Sequence, residues 1–392
     1  MTTTVTASDY NISSISDSIH IPSTAINQIQ KDFNAFIKQS PIVNHKNCMI
    51  CNTAFGTKGS SSSVCLSHSI PQHSLRAISS NGKLYNTNKI VHFSIRKEEQ
   101  GTKISGTFRL ICRDCDSRVF REYEQFDNYT IDFTDNCYST VVQQILNEIA
   151  LKNYLSAIYN NESSSAPIRF LLQNTNSYNI SYDCARNLKS WLSYSSNDLR
   201  VFNNNFMETK RYLNKTLMNT YSIIYYKRVD KKLPIAMQGV FTPEKAFDGT
   251  FINNYHIENA AIQDAHICIL PSNDFSIVLL FTKKKYGNVK HAFKIIRNLR
   301  DDEAIKAIIA LGLSYLDNVY LSPKIPKTIT QDSYLRELAG ETLTTLYSVS
   351  SDSPIPDNIE DIPEAKILNS VKASHNPISR YTEIPDQLIE SI

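Results

Sequence analysis

The sequence predicts an α+β protein in which a small N-terminal unit held together by cysteines precedes a larger domain of helices and strands. Two C-x-x-C pairs, Cys48/Cys51 and Cys112/Cys115, enclose one part of the chain. Further along, apolar residues recur at steps of three and four, which predicts helices, and two apolar runs flank Pro271–Asp274, which predicts a β-hairpin. Because 392 residues exceed one typical domain, we expect two compact units.

The composition indicates a globular protein without a membrane span. The net charge of +3 is too small to indicate nucleic-acid binding by itself. The longest apolar stretch, Ile267–Phe281, is interrupted by Pro271–Asp274 and is too short to span a membrane. Met1–Val5 opens neither a basic segment nor a long apolar run, so we expect a cytoplasmic protein. The run Lys283–Lys285 follows a predicted strand and is more typical of an exposed strand end than of a nucleic-acid patch.

The first residues of the chain are rich in Ser and Thr and show little periodicity. We expect residues 1–23 to form a disordered arm. Residues 24–39 then place Ile29 and Phe33 at helical spacing, which predicts a short amphipathic helix leading into the first cysteine pair.

The two C-x-x-C pairs predict a structural zinc site formed by Cys48, Cys51, Cys112 and Cys115. Two intervening residues let both sulfurs of a pair reach one ion, and four thiolates about 2.3 Å from zinc close a tetrahedron. The alternative is two disulfides or redox pairs, which would need an oxidising compartment that nothing in the sequence indicates. The remaining cysteines lack ligand spacing and are expected to be buried small residues: Cys65, Cys137, Cys184 and Cys268.

The segment between and after the cysteine pairs predicts two strands and a helix. Val64–Ile70 is expected to be a strand that carries His68, and Phe108–Ile111 a strand that enters the second pair. Residues 79–106 are polar with some alternation, which fits either a hairpin or an inserted loop. Cys115–Phe126 has apolar residues on one side and predicts a helix.

The rest of the chain alternates between helical and strand patterns. Residues 139–159 and 301–316 have core-spaced apolar residues and predict helices. Asn160–Pro167 is expected to be a linker-like break because it is polar and ends in proline. Residues 181–226 predict mainly helix, and Pro234 is expected to open the β-rich part.

These patterns divide the chain into four parts. The disordered arm covers residues 1–23 and the zinc-binding unit residues 24–126. A helix-rich α+β domain is expected over 127–345. Ser, Asp and Pro dominate the end of the chain, so residues 346–392 are expected to form a mostly disordered tail.

The order of the motifs resembles a known family. A histidine on a strand followed by proline, in Ser67–Pro71, stands between two C-x-x-C pairs, and the second pair opens a helix in Cys112–Asp116. This order resembles the HNH endonuclease superfamily in its zinc-stapled ββα-metal, treble-clef-like form. Together with Asp317–Pro323, the motifs look like those of an uncharacterised bacterial HNH-like group. The HNH resemblance itself covers about residues 45–126.

The resemblance implies a metal-dependent endonuclease that hydrolyses phosphodiester bonds of DNA or RNA. It assigns His68 as the general base that takes a proton from the attacking water. It places Asp116, with His73 as a second candidate, as ligands of a catalytic Mg²⁺ or Mn²⁺. Asn86 or Asn88 would orient the base. By analogy, such a nuclease suits defence against foreign nucleic acid.

A second interpretation is a zinc module that binds nucleic acid or a partner protein and catalyses nothing. It is motivated by Ser67, which stands where the family often has a metal-binding Asp or His. Arg113, Arg118 and Arg121 would contact phosphates, although a solvated helix face is the commoner meaning of such a set. A third interpretation concerns residues 127–345, which would be a sensor or docking domain for the zinc unit and would bind a possible partner protein.

Purely structural interpretations also remain for His68 and Asp116. His68 could hydrogen-bond within its loop or support the zinc ligands from behind. Asp116 could cap the helix that follows the second cysteine pair, since a carboxylate is favourable near a helix N-terminus.

Overall fold

The computed structural model describes residues 28–29, 31–36, 45–86, 99–130, 133–134, 137–213, 215–216, 219–253, 261–340, 361 and 376–392. They form a mixed α+β fold, as the sequence predicts. In these ranges, none of the helices combines the length and the apolar character that crossing a membrane requires. The predicted arm over 1–23 lies outside the described residues.

The strands and helices are numbered in chain order. The strands are β1 Ser67–His68, β2 Lys83–Asn86, β3 Glu99–Gly101, β4 Thr107–Phe108, β5 Tyr221–Val229, β6 Ile235–Phe241, β7 Ala265–Pro271, β8 Ser276–Lys283 and β9 Val319–Leu321. The helices are α1 Gln72–Ile78, α2 Arg113–Val119, α3 Arg121–Glu124, α4 Thr140–Gln173, α5 Tyr182–Lys210, α6 Gly287–Ala292, α7 Asp301–Tyr315 and α8 Ser333–Gly340. Short 3₁₀ turns cover Phe126–Asn128, Lys294–Asn298, Ile329–Gln331, Pro377–Glu383 and Asp386–Leu388.

Seven strands form one antiparallel sheet in the order β3-β2-β9-β6-β7-β8-β5. The central strands β6, β7 and β8 are buried along their whole length, which explains why their sequences are near-continuous apolar runs. The hairpin predicted around Pro271–Asp274 is confirmed, with β7 and β8 paired on either side of the turn. Lys283, expected at an exposed strand end, is instead buried, whereas Lys284 and Lys285 are exposed.

Helix α7 provides much of the apolar core against the sheet. Its residues Ile305, Ile308 and Ile309 are buried with Met237 of β6 in one cluster. At Gly312 the helix comes so close that a Cβ would lie 2.2 Å from the sulfur of Met237. The predicted helix over 301–316 is therefore confirmed, and its glycine permits the close approach.

The end of the chain belongs to the same core, which corrects the expectation of a mostly disordered tail for residues 376–392. Ile378, Ile384, Leu388 and Ile389 are buried in the cluster that contains α7. Pro377 and Pro385 interrupt this segment, and Ser, Asp and Pro dominate the residues before it, so its composition resembles that of a disordered tail. Apart from residue 361, the stretch 346–375 lies outside the described residues.

The compact units do not follow the predicted division at residue 126. The larger unit takes the described residues of 46–157, 203–343 and 373–392, and the smaller takes those of 1–45, 158–202 and 344–372. The cysteine segment belongs to the larger unit because β2, which lies between the two cysteine pairs, is hydrogen-bonded to β9. Within the predicted segment 79–106, β2 and β3 pair as antiparallel strands, and residues 87–98 between them lie outside the described residues.

The predicted break at Asn160–Pro167 is wrong because α4 runs through it. Within the smaller unit, the Asn161 amide donates to the carbonyl of Ser195 (2.9 Å), and the hydroxyls of Ser165 and Ser195 are 2.7 Å apart. These contacts with α5 satisfy polar side chains that in isolation resemble a linker. Pro167 removes one backbone donor but does not end the helix.

The predicted helix over 181–226 is right only as far as Lys210. Tyr221–Val229 is strand β5, which pairs with β8 over its length. Its adjacent isoleucines and tyrosines do not distinguish a strand from a helix face by period, and the pairing with β8 decides between them.

The predicted N-terminal helix is observed at residues 28–29 and 31–36. Ile29 and Phe33 are buried in the apolar cluster of the smaller unit, together with Phe170 and Leu188.

Candidate metal centre and adjoining histidine site

The four predicted ligand cysteines come together in the larger unit. The Sγ atoms of Cys48, Cys51, Cys112 and Cys115 all lie within 4.8 Å of one another, and those of Cys51 and Cys112 are 3.9 Å apart. Four sulfurs about 2.3 Å from one zinc ion would be separated by about 3.8 Å. Within the described ranges, no other set of three or more His, Cys, Asp or Glu side chains is placed to hold a metal. The cluster could therefore bind zinc.

Backbone hydrogen bonds shape the first cysteine pair. The N–H of Asn52 donates to the carbonyl of Cys48 (2.8 Å), and Asn52 itself has a left-handed φ of 60°. The N–H of Cys112 points at the Cys48 sulfur (3.3 Å), and the N–H of Met49 donates to the carbonyl of Leu110 (2.9 Å). These bonds hold the two pairs next to each other through the backbone.

The thiols differ in how readily they ionise. Burial raises the pKa of Cys51, but hydrogen bonds from Thr53 and from neighbouring thiols lower it by more. The net effect lowers the pKa of Cys51 to about 6. Burial raises the pKa of Cys115, as do the negative charge of Cys48 and hydrogen bonds among the thiols. A metal must displace the protons of such ligands, so we expect its binding to be pH-dependent.

Asp116 follows the last cysteine on α2 and is enclosed by donors. Its Oδ1 accepts a hydrogen bond from the Ser67 hydroxyl and another from the Lys152 ammonium group (2.9 Å). Its Oδ2 accepts from the Cys65 thiol (3.2 Å). Burial raises the pKa of Asp116, but the positive charge of Lys152 and these hydrogen bonds outweigh it, so the pKa lies below its ordinary value.

Lys152 reaches this carboxylate from the middle of α4. Its side chain is 1% exposed, and its Nζ lies 3.6 Å from a carboxylate oxygen of Glu124. The same Nζ lies 4.0 Å from the ring centroid of Phe120, within the range of a cation–π contact. Lys152 is therefore a buried cation with two carboxylates and an aromatic ring around it.

These residues do not fit a catalytic divalent cation at Asp116. Mg²⁺ and Mn²⁺ prefer several oxygen ligands, but both Asp116 oxygens already accept hydrogen bonds and the nearest charge is a cation. Ser67 donates its proton to Asp116 rather than offering a ligand. His73, the second predicted ligand, packs edge-on against Phe126 with ring centroids 4.1 Å apart.

His68 is held by one ring nitrogen. Its Nε2 lies 3.1 Å from the carbonyl oxygen of Thr102. Because a carbonyl only accepts, Nε2 carries the hydrogen and Nδ1 keeps its lone pair. Burial lowers the pKa of His68 and the charges of Lys152 and Arg76 lower it further, against the opposing effects of Thr102 and Asp116. His68 is therefore neutral at pH 7 and able to accept a proton.

The three predicted phosphate contacts are exposed on neighbouring helices. Arg113 and Arg118 belong to α2 and Arg121 opens α3. Arg118 lies 3.6 Å from Asp114 in an exposed pair, which is worth little to stability. Their exposure fits both a solvated face and a phosphate-binding face.

Sequence reasoning missed the residues that complete the surroundings of His68 and Asp116. Lys152 follows Ile145 and Ile149 at steps of four and three, so it occupies a core-facing position in α4. A charged residue at such a position is the one signal that could have revealed it. Cys65 and Arg76 carry no comparable signal. Of the other cysteines, Cys184 and Cys268 are buried as expected.

The HNH resemblance assigned the role of orienting His68 to Asn86 or Asn88. Asn86 ends strand β2 and pairs with Tyr320 of β9, whereas Asn88 lies outside the described residues.

The chain was compared with protein-family models, with curated proteins and with solved structures. None of the three comparisons gave a match.

Proposed function

We propose that residues 45–126 form an HNH-like, zinc-stapled ββα unit of the treble-clef type that cleaves phosphodiester bonds of nucleic acid. Supporting observations are the pairing of β1 with β4, the helix α2 that opens at the second cysteine pair, and the cluster of four cysteines. The observation that carries the catalytic part is the hydrogen bond from His68 Nε2 to the Thr102 carbonyl. It leaves Nδ1 as the proton acceptor.

In this proposal, His68 Nδ1 takes a proton from the attacking water as the water oxygen bonds to phosphorus. One P–O ester bond breaks, and the departing oxygen takes a proton from solvent. A neutral imidazole at pH 7 suits this role because burial and nearby cations disfavour its charged form. Arg76 is exposed on α1 and its charge acts on His68, so it is placed to bind the phosphate. No step is assigned to a divalent cation at Asp116, because the residues there do not fit one.

The test compares zinc-loaded wild-type protein with His68→Ala and with His73→Ala as a matched control. Supercoiled plasmid and single-stranded RNA are incubated with each protein, with and without Mg²⁺ or Mn²⁺. We expect His68→Ala to lose activity by about 100-fold, since a general base contributes on that scale. His73→Ala should cleave like wild type. Equal cleavage by wild type and His68→Ala, or none by either, would reject the catalytic proposal.

A second candidate is a zinc module that binds nucleic acid or a partner protein without cleaving. The specific observation in its favour is that Ser67, Cys65 and Lys152 all engage the Asp116 carboxylate. A gel-shift assay distinguishes it: the complex should persist in His68→Ala, disappear in Cys112→Ser, and weaken as salt rises.

Two wider roles belong to the same proposal. Residues 127–345 would dock a partner protein or sense a signal for the zinc unit. Defence against foreign nucleic acid would suit a nuclease with such a second part. Pull-down with the full chain, with and without bound nucleic acid, would test the docking role.

A further inference from the structure

Lys152 is a lysine that water does not reach. Its side chain is 1% exposed, and its ammonium group lies 2.9 Å from Asp116 Oδ1 and 3.6 Å from Glu124 Oε1. A buried ammonium group is costly unless it is paired and hydrogen-bonded. Asp116 meets that need, and the Phe120 ring covers another side of the ammonium group at 4.0 Å.

The Asp116 carboxylate is equally well satisfied. Besides Lys152, it accepts hydrogen bonds from Ser67 on one oxygen and Cys65 on the other. A divalent cation would have to replace these donors and lie next to an ammonium group of the same sign. Two cations at so short a distance repel each other, so the charge of Lys152 disfavours a metal ion at Asp116.

We propose that Lys152 is the built-in counter-cation of Asp116 and that it keeps divalent cations out of this site. The ammonium group takes the position and charge that a metal would otherwise supply to Asp116 and Glu124. Lys152 is not placed as a catalytic residue, since it is buried and contacts the carboxylates rather than a substrate. The inference concerns metal binding alone, so it does not depend on whether the protein cleaves nucleic acid.

Mn²⁺ binding tests the inference in four zinc-loaded proteins: wild type, Asp116→Asn, Lys152→Met and the double variant. Isothermal titration with Mn²⁺ and the EPR signal of free Mn²⁺ measure occupancy. The thiolates of the zinc site are soft ligands and compete poorly for Mn²⁺. The double variant is the matched reference, because it removes the charges of Asp116 and Lys152 together. Of the charges around Lys152, only Glu124 then remains, and its side chain is 43% exposed.

We expect no Mn²⁺ binding by the wild type, by Asp116→Asn or by the double variant. Lys152→Met should bind one Mn²⁺ per chain, with a Kd at least about tenfold below the highest Mn²⁺ concentration at which the wild type shows no binding. Binding by the wild type that Asp116→Asn abolishes would overturn the inference. So would a folded Lys152→Met variant that binds no better than wild type.

If Lys152→Met fails to fold, Mn²⁺ binding by the wild type is compared with binding by Asp116→Asn to test the inference. Equal lack of Mn²⁺ binding by these two proteins supports exclusion, and binding lost on Asp116→Asn rejects it. Plasmid cleavage is not a readout here, so failure of this inference and failure of the proposed nuclease activity remain distinguishable.

Discussion

The Glu148 carboxylate accepts hydrogen bonds from the backbone N–H of Tyr123 (3.0 Å) and from the side-chain amide of Gln144 (3.1 Å). The residue is nevertheless only 3% exposed, and burial raises its pKa to about 7. Between pH 4.5 and 7, the folded protein therefore holds a proton that the unfolded chain releases. Since the native state binds more protons there, this group lowers the stability as pH rises.

Glu148→Gln should make the protein more stable than wild type at pH 8 but not at pH 4.5. Ionisation of Glu148 changes the free energy of unfolding of the wild type by about 3 kcal/mol in total, since its pKa is about 7 in the folded state and 4.5 in the unfolded chain. Below pH 4.5 Glu148 is protonated in both states, and well above pH 7 it is ionised in both. Urea unfolding of the two proteins, measured at half-unit steps from pH 4.5 to 8, gives the difference at each pH. A difference that stays constant over this range would show that Glu148 ionises normally in the fold.

For single residues, the sequence predicted the four candidate zinc ligands better than it predicted the environment of His68. The four cysteines could be grouped from spacing alone, because a C-x-x-C pair is itself a local geometry. His68 was found as a histidine between the pairs, and its neutral state was not predictable. That state depends on burial and on the charge of Lys152, which lies far from His68 in the chain and comes near it only through the fold.

The ends of secondary-structure elements are also set by distant partners, as β8 shows. Lys283, its last residue, is buried and its ammonium group lies 2.7 Å from Glu208 and 3.1 Å from the side-chain oxygen of Asn205. Both partners belong to the last turns of α5. Asn205 in turn donates to the buried carboxylate of Asp264 (2.7 Å). The strand end and the helix end are therefore held by one polar network.

Lys283→Met should destabilise the protein by about 3 kcal/mol, because it removes the buried cation that faces the buried Asp264 and the half-buried Glu208. Lys284→Met is the matched control: the same substitution one residue later, at an exposed position, should change stability by less than about 0.5 kcal/mol. Urea unfolding monitored by far-UV circular dichroism measures both. Equal effects of the two substitutions would contradict the assigned role of Lys283.

The same dependence explains which elements the sequence predicted correctly. Helix α7 and the β7–β8 hairpin have a strong period or a clear turn, and both were predicted. The segment Asn160–Pro167 has the composition of a linker, yet Ser195 of α5 supplies partners for its polar side chains. The low helix propensity of this segment is outweighed by its contacts with α5, which the local sequence pattern does not show.

For the whole molecule, the decisive contact is the pairing of β2 with β9. Tyr85 pairs with Leu321 and Asn86 with Tyr320, so the segment between the cysteine pairs forms part of the seven-stranded sheet. Such pairing between residues far apart in sequence leaves no periodic signature, and the predicted boundary at residue 126 therefore separated strands that share a sheet. Domain limits could not be derived from composition for the same reason.

This pairing predicts how loss of the metal would spread through the larger unit. Cys112→Ser removes one of four proposed zinc ligands and should weaken the turns at the two C-x-x-C pairs. We expect this to weaken in turn β2 and the edge strand β3, which lie between the cysteine pairs. Amides of these strands should exchange hydrogen about tenfold faster or more, whereas those of α7 in the apolar core should keep their protection. Hydrogen-exchange mass spectrometry resolves both regions.

Cys137→Ser is the control for this experiment, because Cys137 lies outside the four-sulfur cluster. It should leave the exchange of β2 and β3 unchanged, and a chelator added to wild type should reproduce the Cys112→Ser pattern. Unchanged protection of β2 in Cys112→Ser would mean that the sheet holds this edge without the metal. Faster exchange throughout α7 would mean instead that the zinc site supports the whole core, as expected if the larger unit unfolds as one cooperative body.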